Sequence, residues 1–374
     1  MIRVLTIIGA RPQIIKAAAI SRAVRKFSSE MKEIIVHTGQ HYDKNMSGVF
    51  MEELDIPKED YNLESGSGSH GKQTAFMLQK IEEILLQEKP DAVIVYGDTN
   101  STLAGGIAAS KLHIPLVHIE AGLRSFNKKM PEEINRICCD HVSTLLFAPT
   151  ITAVENLKKE GFNVEAKGSF SIDHPGVFHC GDVMYDNSIY FASVAESKSS
   201  ILQKYQLNVG EFILATVHRE SNTDDKNVLS SLLEAFHQIA CQGNKIVLPL
   251  HPRTRKMLEQ FDIKVKSENL LIIEPASFLD MTLLESKCSM VLTDSGGVQK
   301  EAYFFSKPCI ILREETEWVE LVENGCAVTT GSDSKRIVEA YEMFINKSEL
   351  KFPSVFGDGH AAEFICKSII DNFR

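Results

Sequence analysis

Several loops of this chain bring together residue types that can move protons or hold an anion. Carboxylates stand at Asp98 in Gly97-Asp98-Thr99-Asn100, at Glu120 in Glu120-Ala121-Gly122-Leu123-Arg124, and at Glu132 in Pro131-Glu132-Glu133-Ile134-Asn135-Arg136. Cationic or titratable nitrogens stand at Arg11 and Lys16 around Gly9-Ala10-Arg11-Pro12-Gln13, at His218-Arg219, and at His251-Pro252-Arg253. Glu120 directly follows the apolar run Val117-His118-Ile119. A charge near a buried strand end costs several kcal/mol unless it is paired or used, so Glu120 reads as functional. The other carboxylates also have plainer roles open to them. Asp98, Thr99 or Asn100 can N-cap the following helix, and Glu132 and Glu133 suit the positive end of a helix dipole. The turn Asp294-Ser295-Gly296-Gly297 runs from a strand into a helix, where backbone N–H groups and the helix dipole can meet a phosphate at close range. Glu301 follows one turn later, spaced to accept hydrogen bonds from a ribose diol.

The elements that position these loops are legible as alternating apolar runs and helical patterns. Strands are expected at Arg3 to Ile8, Glu33 to Thr38, Asp91 to Tyr96, Pro115 to Ile119 and Thr144 to Ala148. A second series runs Glu211 to Val217, Lys245 to Leu250, Leu270 to Ile273, Met290 to Leu292, Cys309 to Leu312 and Ala327 to Thr329. Between them lie helical stretches, including Ile14 to Phe27, one through Phe50 and Leu54, and Lys72 to Gln87. Strands separated by helices imply parallel sheets with right-handed crossovers. From about residue 163 to 187, Gly168, Gly176, Gly181 and Pro175 read as a linker. The expected fold class is α/β: two doubly wound, parallel-sheet, Rossmann-like domains facing each other across a cleft. The chemistry-bearing loops then sit beyond the carboxyl ends of the strands, where such sheets bind ligands.

Composition excludes other classes. The formal net charge of -10 over 374 residues argues against nucleic-acid and membrane-surface partners. No run approaches the roughly 20 apolar residues of a membrane span, and the first strand leaves no room for a signal segment, so a cytoplasmic protein is expected. Eight scattered cysteines without a Cys-x-x-Cys pair read as reduced thiols. Gly66-Ser67-Gly68-Ser69-His70-Gly71 has dinucleotide-fingerprint spacing, but no buried strand is expected ahead of it, and it reads as a mobile polar loop. No P-loop, His-Glu-x-x-His or Gly-x-Ser-x-Gly is present. No metal site and no cofactor is expected.

Taken together, these motifs, with Thr38-Gly39-Gln40-His41, Gln299 and Glu301, resemble those of the non-hydrolysing bacterial UDP-N-acetylglucosamine 2-epimerases over essentially the full length. The resemblance implies the B-type glycosyltransferase architecture: residues 1–170 carrying the catalytic carboxylates, 171–358 binding UDP, and 359–374 forming a C-terminal helix (Ala361 to Phe373) that crosses back to the first domain. It implies elimination of UDP to a 2-acetamidoglucal and re-addition, for surface-polysaccharide precursors, by a homodimer. Asp98, Glu120 and Glu132 would carry protons, with Lys16, His218 and Arg136 completing the catalytic set. Arg11, Arg219, Phe278, Ser295, Gly296, Gly297 and Glu301 would bind the UDP-sugar, Phe278 near the uracil. Departures from the pattern are Glu220-Ser221-Asn222, Gln13, Asp43 and Lys72, the last two replacing residues that help hold an activating second sugar nucleotide in some members. Gln13, the segment Ser125 to Met130 and Glu317-Trp318-Val319-Glu320 look more like the branch acting on UDP-2,3-diacetamido-2,3-dideoxyglucuronate; Lys128 and Lys129 could pair with its sugar carboxylate, although a two-lysine run is more often a solvated face. A hydrolysing epimerase and a nucleotide-sugar glycosyltransferase are the other readings of these residues.

Overall fold

The computed structural model describes residues 1–40, 57–263, 268–347 and 349–374. The expected helical stretch through Phe50 and Leu54, and the motif positions His41 and Asp43, lie outside them.

The first unit comprises Met1–Asn187 together with Ser354–Arg374. Its strands are β1 (Ile2–Ile8), β2 (Met31–His37), β3 (Tyr61–Asn62), β4 (Ala92–Tyr96), β5 (Leu116–Ile119), β6 (Leu145–Ala148) and β7 (Gly176–His179). Helices α1 (Arg11–Lys26), α2 (His70–Glu88), α3 (Asn100–Lys111), α4 (Pro131–His141) and α5 (Ile151–Lys159) supply crossovers. All pairings are parallel, in the order β3-β2-β1-β4-β5-β6-β7. Strands covered on both faces must be apolar throughout, and β4 is buried at every residue. Leu5, Ile7, Val93 and Val95 pack with Met77, Ile81 and Leu85 of α2 and with Ala104 and Ala108 of α3.

The stretch expected as a linker is partly strand: β7 pairs with β6 from Leu145↔Gly176 to Ala148↔His179. Gly176 reads locally as a turn residue, yet a Cβ there would stand 2.9 Å from the Phe170 ring. Its bare side satisfies packing, a constraint invisible to local pattern. The first unit therefore runs past residue 170, and the division falls within α6 (Val183–Lys198).

The second unit, Ser188–Pro353, continues through α7 (Ile201–Lys204), β8 (Phe212–Thr216), α8 (Glu220–Thr223), α9 (Lys226–Cys241), β9 (Lys245–Pro249) and α10 (Pro252–Gln260). It goes on with β10 (Leu270–Ile273), α11 (Phe278–Lys287), β11 (Met290–Thr293), α12 (Gly296–Phe304), β12 (Cys309–Ile311), α13 (Val319–Glu323), β13 (Ala327–Thr329) and α14 (Ser334–Ile345). The parallel order is β10-β9-β8-β11-β12-β13. Both sheets thus reverse direction once, at β1/β4 and at β8/β11. Such switch points leave a crevice where ligands bind, and the chemistry-bearing loops after β1, β4, β8 and β11 open there.

The last helix, α15 (Ala361–Phe373), belongs to the first unit. Asp186 accepts from the N–H groups of Ala361 and Ala362 at 3.2 and 2.8 Å, satisfying donors a helix start leaves open. Lys26 of α1 pairs with Glu363, and Ile365 and Ile369 are buried. Ile369→Ala is expected to cost about 2–5 kcal/mol in urea unfolding, as a cavity opens under this helix.

Candidate active site

In the first unit, two carboxylates at neighbouring strand ends each meet a cation. Glu120 ends β5 in a left-handed conformation, φ 72°, with only 8% of its surface exposed. Its carboxylate pairs with Lys16 from the second turn of α1. Asp98 follows β4, and its Oδ2 accepts from Arg136 of α4 at 2.5 Å. The helix cap that Asp98 might have filled is taken by Thr99, whose side chain accepts from the N–H of Thr102, so the Asp98 carboxylate is left for other work. Gly97 between them has φ 61°, and a Cβ there would stand 3.2 Å from Glu120 and 3.4 Å from Lys16. Arg11 is exposed at the start of α1, and Glu132 is exposed on the first turn of α4.

Glu133, grouped with Glu132 by sequence, does something different. It is buried and accepts from the N–H and hydroxyl of Ser125 at 2.8 and 3.0 Å and from the N–H of Phe126 at 3.0 Å. It anchors a turn in which Phe126 takes φ 58°. Three further polar residues tie the loops together. Gln13 accepts from the N–H groups of Gly9 and Ala10 and donates to the Tyr96 carbonyl and Thr102. Asn135 donates to the Asp98 carbonyl at 2.9 Å, and Gln40 accepts from Ser101. Among the described residues, Arg136 Nε is buried without a hydrogen-bond partner. The glycine-rich segment 66–71 does follow a strand, the short β3, and its Gly66 carbonyl accepts from Gln73 at 2.7 Å. Only two residues long and half-buried, β3 carries too weak an apolar signal to be read from sequence.

In the second unit, Asp294 is the organising charge. Fully buried after β11, it accepts from the N–H groups of His218 and Arg219, each at 3.0 Å, and from Asn222 at 3.1 Å. His218 Nδ1 stands 3.1 Å from Asp294 Oδ1. Burial opposes the charge of Asp294, but the hydrogen bond from His218 and the Arg219 N–H outweigh it and hold the carboxyl below its usual range. The imidazole is thereby oriented with its side chain 39% exposed. His251 lies nearby, ring centroids 5.6 Å apart; burial and the neighbouring His218 lower its pKa. Arg219 stands 3.9 Å from Glu317.

Ser295 caps α12, accepting from Val298 N–H, and Gly296 and Gly297 open the helix. Neither glycine has a positive φ. A Cβ would find nothing nearer than 3.4 Å at Gly296 or 3.9 Å at Gly297. The protein's own packing leaves both positions open to a side chain at the start of the helix. One turn on, burial raises the Glu301 carboxyl with Lys300 opposing, and burial together with the Glu301 charge pushes Glu285 well up. Phe278 opens α11 and meets Phe191 edge-on at 5.1 Å. No cluster of three metal-ligating side chains occurs among the described residues, and no described helix is long and apolar enough to cross a membrane.

Sequence reasoning met Gln13, Asn135 and Asn222 only as motif positions or departures, without their holding roles, and passed over Asp140, whose carboxylate meets His118 and the Gly122 N–H. The available signal was their polarity at helix positions that a parallel sheet must bury.

Two parallel α/β sheets, one with cation-held carboxylates at adjacent strand ends and one with a glycine-opened helix start at its switch point, define a Rossmann-like protein of GT-B-like fold. The family model for UDP-N-acetylglucosamine 2-epimerase matches residues 23–370, and the chain belongs to that family. It is 50% identical over 364 residues to a UDP-N-acetylglucosamine 2-epimerase homolog of Methanococcus maripaludis, covering 96% of this chain and 97% of that protein. It is 48% identical over 369 residues to the UDP-2,3-diacetamido-2,3-dideoxy-D-glucuronate 2-epimerase of Pseudomonas aeruginosa, covering 98% and 99%. Among solved structures it is similar to Methanocaldococcus jannaschii UDP-GlcNAc 2-epimerase in complex with UDP-GlcNAc and UDP, with TM-score 0.80, 40% identity, and 98% and 99% of the two chains covered.

Gly122 follows the Glu120 turn at φ 78°, and a Cβ there would press on the Ala153 carbonyl and stand 2.9 Å from Leu157. Gly122→Ala is therefore expected to lower stability by more than about 1 kcal/mol in chemical unfolding, and to disturb Glu120 two residues away.

Proposed function

We propose that the chain is a UDP-N-acetylglucosamine 2-epimerase, interconverting the gluco and manno epimers of the UDP-linked sugar. The observation that carries this reading is the pair of cation-held carboxylates, Asp98 with Arg136 and Glu120 with Lys16, on adjacent strand ends of one sheet. Inversion at carbon 2 needs a proton removed from one face and returned to the other. A carboxylate removes the C2 proton while the C1–O bond breaks and its electron pair leaves with UDP, giving a 2-acetamidoglucal. UDP then adds back to C1 as C2 is protonated from the opposite face. The C2 proton is barely acidic, so the leaving diphosphate charge must meet preorganised donors. Arg11, His218, Arg219, Ser295 and the Gly296 and Gly297 N–H groups serve that role, with Glu301 on the ribose and Phe278 near the base. Glu132, exposed on α4, is the third proton carrier. The reading carries with it a cytoplasmic homodimer with neither nucleic-acid nor membrane partners.

A second substrate, the UDP-linked diacetamidoglucuronate, is favoured by the 48% identity to the Pseudomonas enzyme. Proton NMR in heavy water, without metal or acceptor, decides between them. With UDP-N-acetylglucosamine the manno epimer should appear carrying deuterium at C2. Turnover of the diacetamidoglucuronate nucleotide alone would move the substrate, and release of free N-acetylmannosamine would make the enzyme hydrolysing.

Gly297→Ala separates ligand binding from folding. The melting temperature should hold or rise, since the position is open and helical. The calorimetric Kd for UDP should rise by about 10-fold or more, about 1.4 kcal/mol.

A further inference from the structure

His118 lies in the middle of the first sheet, 0% exposed, directly ahead of Ile119 and Glu120. Its Nδ1 stands 2.7 Å from Asp140 Oδ1, and its Nε2 stands 2.8 Å from the Gly97 carbonyl oxygen. A carbonyl oxygen can only accept, so Nε2 carries a proton; Asp140, kept a carboxylate by Arg124 and the Gly122 N–H, accepts from Nδ1. Asp140 is also fully buried. Its second oxygen accepts from the Gly122 N–H at 3.2 Å and from Arg124 at 2.7 Å. Arg124 in turn pairs with Glu160 at 2.7 Å through two nitrogens. The groups facing the imidazole are thus Asp140 and Cys139 from α4 and the Gly97 carbonyl from the loop after β4, with Arg124 and Glu160 behind Asp140. Burial alone would discharge the ring; the Cys139 sulfur and the Asp140 carboxylate beside it reverse this and raise it to about 10.

The bonds from this pair land on both sides of the proposed proton carriers. Gly97, at φ 61°, precedes Asp98; Gly122, at φ 78°, follows Glu120, itself at φ 72°. A left-handed turn at a glutamate is strained and persists only where its surroundings over-determine it. Here the turn is gripped from His118 on one side and from Gly122 on the other, through one carboxylate. We propose that His118 and Asp140 form a buried imidazolium–carboxylate bracket that positions Asp98 and Glu120 together for proton transfer at carbon 2, a role that rests on the epimerase reading above. Neither residue touches substrate: both act through the backbone of the two loops.

The test compares wild type with His118→Gln, Asp140→Asn and the double variant, following epimerisation and deuterium uptake at C2. Each single variant should lose kcat on the order of 100-fold, the effect of displacing a reacting group by about 1 Å. KM for the UDP-sugar should stay within about 3-fold, since neither residue is among the groups proposed to hold the nucleotide. The double variant should be no worse than the worse single one, as expected for two members of one device. In 15N-histidine-labelled wild type, one imidazole should keep both ring nitrogens protonated at about pH 8.5, far above an ordinary histidine. That reading needs no variant to fold. Absence of such a histidine overturns the proposal, as does a folded His118→Gln enzyme with kcat within about 3-fold of wild type. A wild type inert toward both UDP-sugars overturns instead the epimerase reading, and this role with it.

Discussion

A carboxylate that is nine-tenths buried and still paired with a lysine constrains everything near it. Glu120 sits where β5 ends, in a backbone conformation that costs a residue bearing a Cβ. Its charge is satisfied by Lys16, which reaches it from α1. That pairing spans the switch point, with β1 on one side, β5 on the other, β4 between them and Gly97 bare enough to let both side chains approach. Strand order, the position of α1 and the glycine after β4 thus answer to one electrostatic requirement.

The second unit solves the same problem with the charge inverted in purpose. Asp294, also at a switch point, gathers the two backbone N–H groups of the His218-Arg219 turn, the Asn222 amide and the His218 ring. The buried carboxylate aims an imidazole and shapes a loop. In both units a buried acid is made tolerable by several donors at once, and the resulting stiffness holds the exposed groups in place. At the start of α12, Gly296 and Gly297 leave room that a side chain would otherwise fill.

Much of this was legible in the sequence because parallel sheets bury continuous apolar runs and leave the loops at their carboxyl ends exposed. The runs ending at Ile8, Tyr96, Ile119, Val217 and Leu292 marked the chemistry-bearing loops, and the family resemblance implied the α15 span of Ala361 to Phe373 that the structure has. The features that stayed hidden depend on tertiary partners. Gly176 looked like punctuation and proved to be a strand residue pressed by Phe170. Glu132 and Glu133 are neighbours in sequence, yet the turn of α4 exposes one and buries the other as an anchor for Ser125 and Phe126. His118 read as part of an apolar run, since nothing local announces that Asp140, on a distant helix, meets it.

The central claim is that Glu120 itself moves a proton at carbon 2, and Glu120→Gln tests it with little change of shape. Exchange of the C2 hydrogen with solvent is expected to fall about 10²–10⁴-fold, as for a lost general acid–base group, while UDP affinity stays within a few-fold. Wild-type exchange in the Glu120→Gln enzyme would contradict the claim, leaving Glu120 a structural charge and the chemistry to other residues.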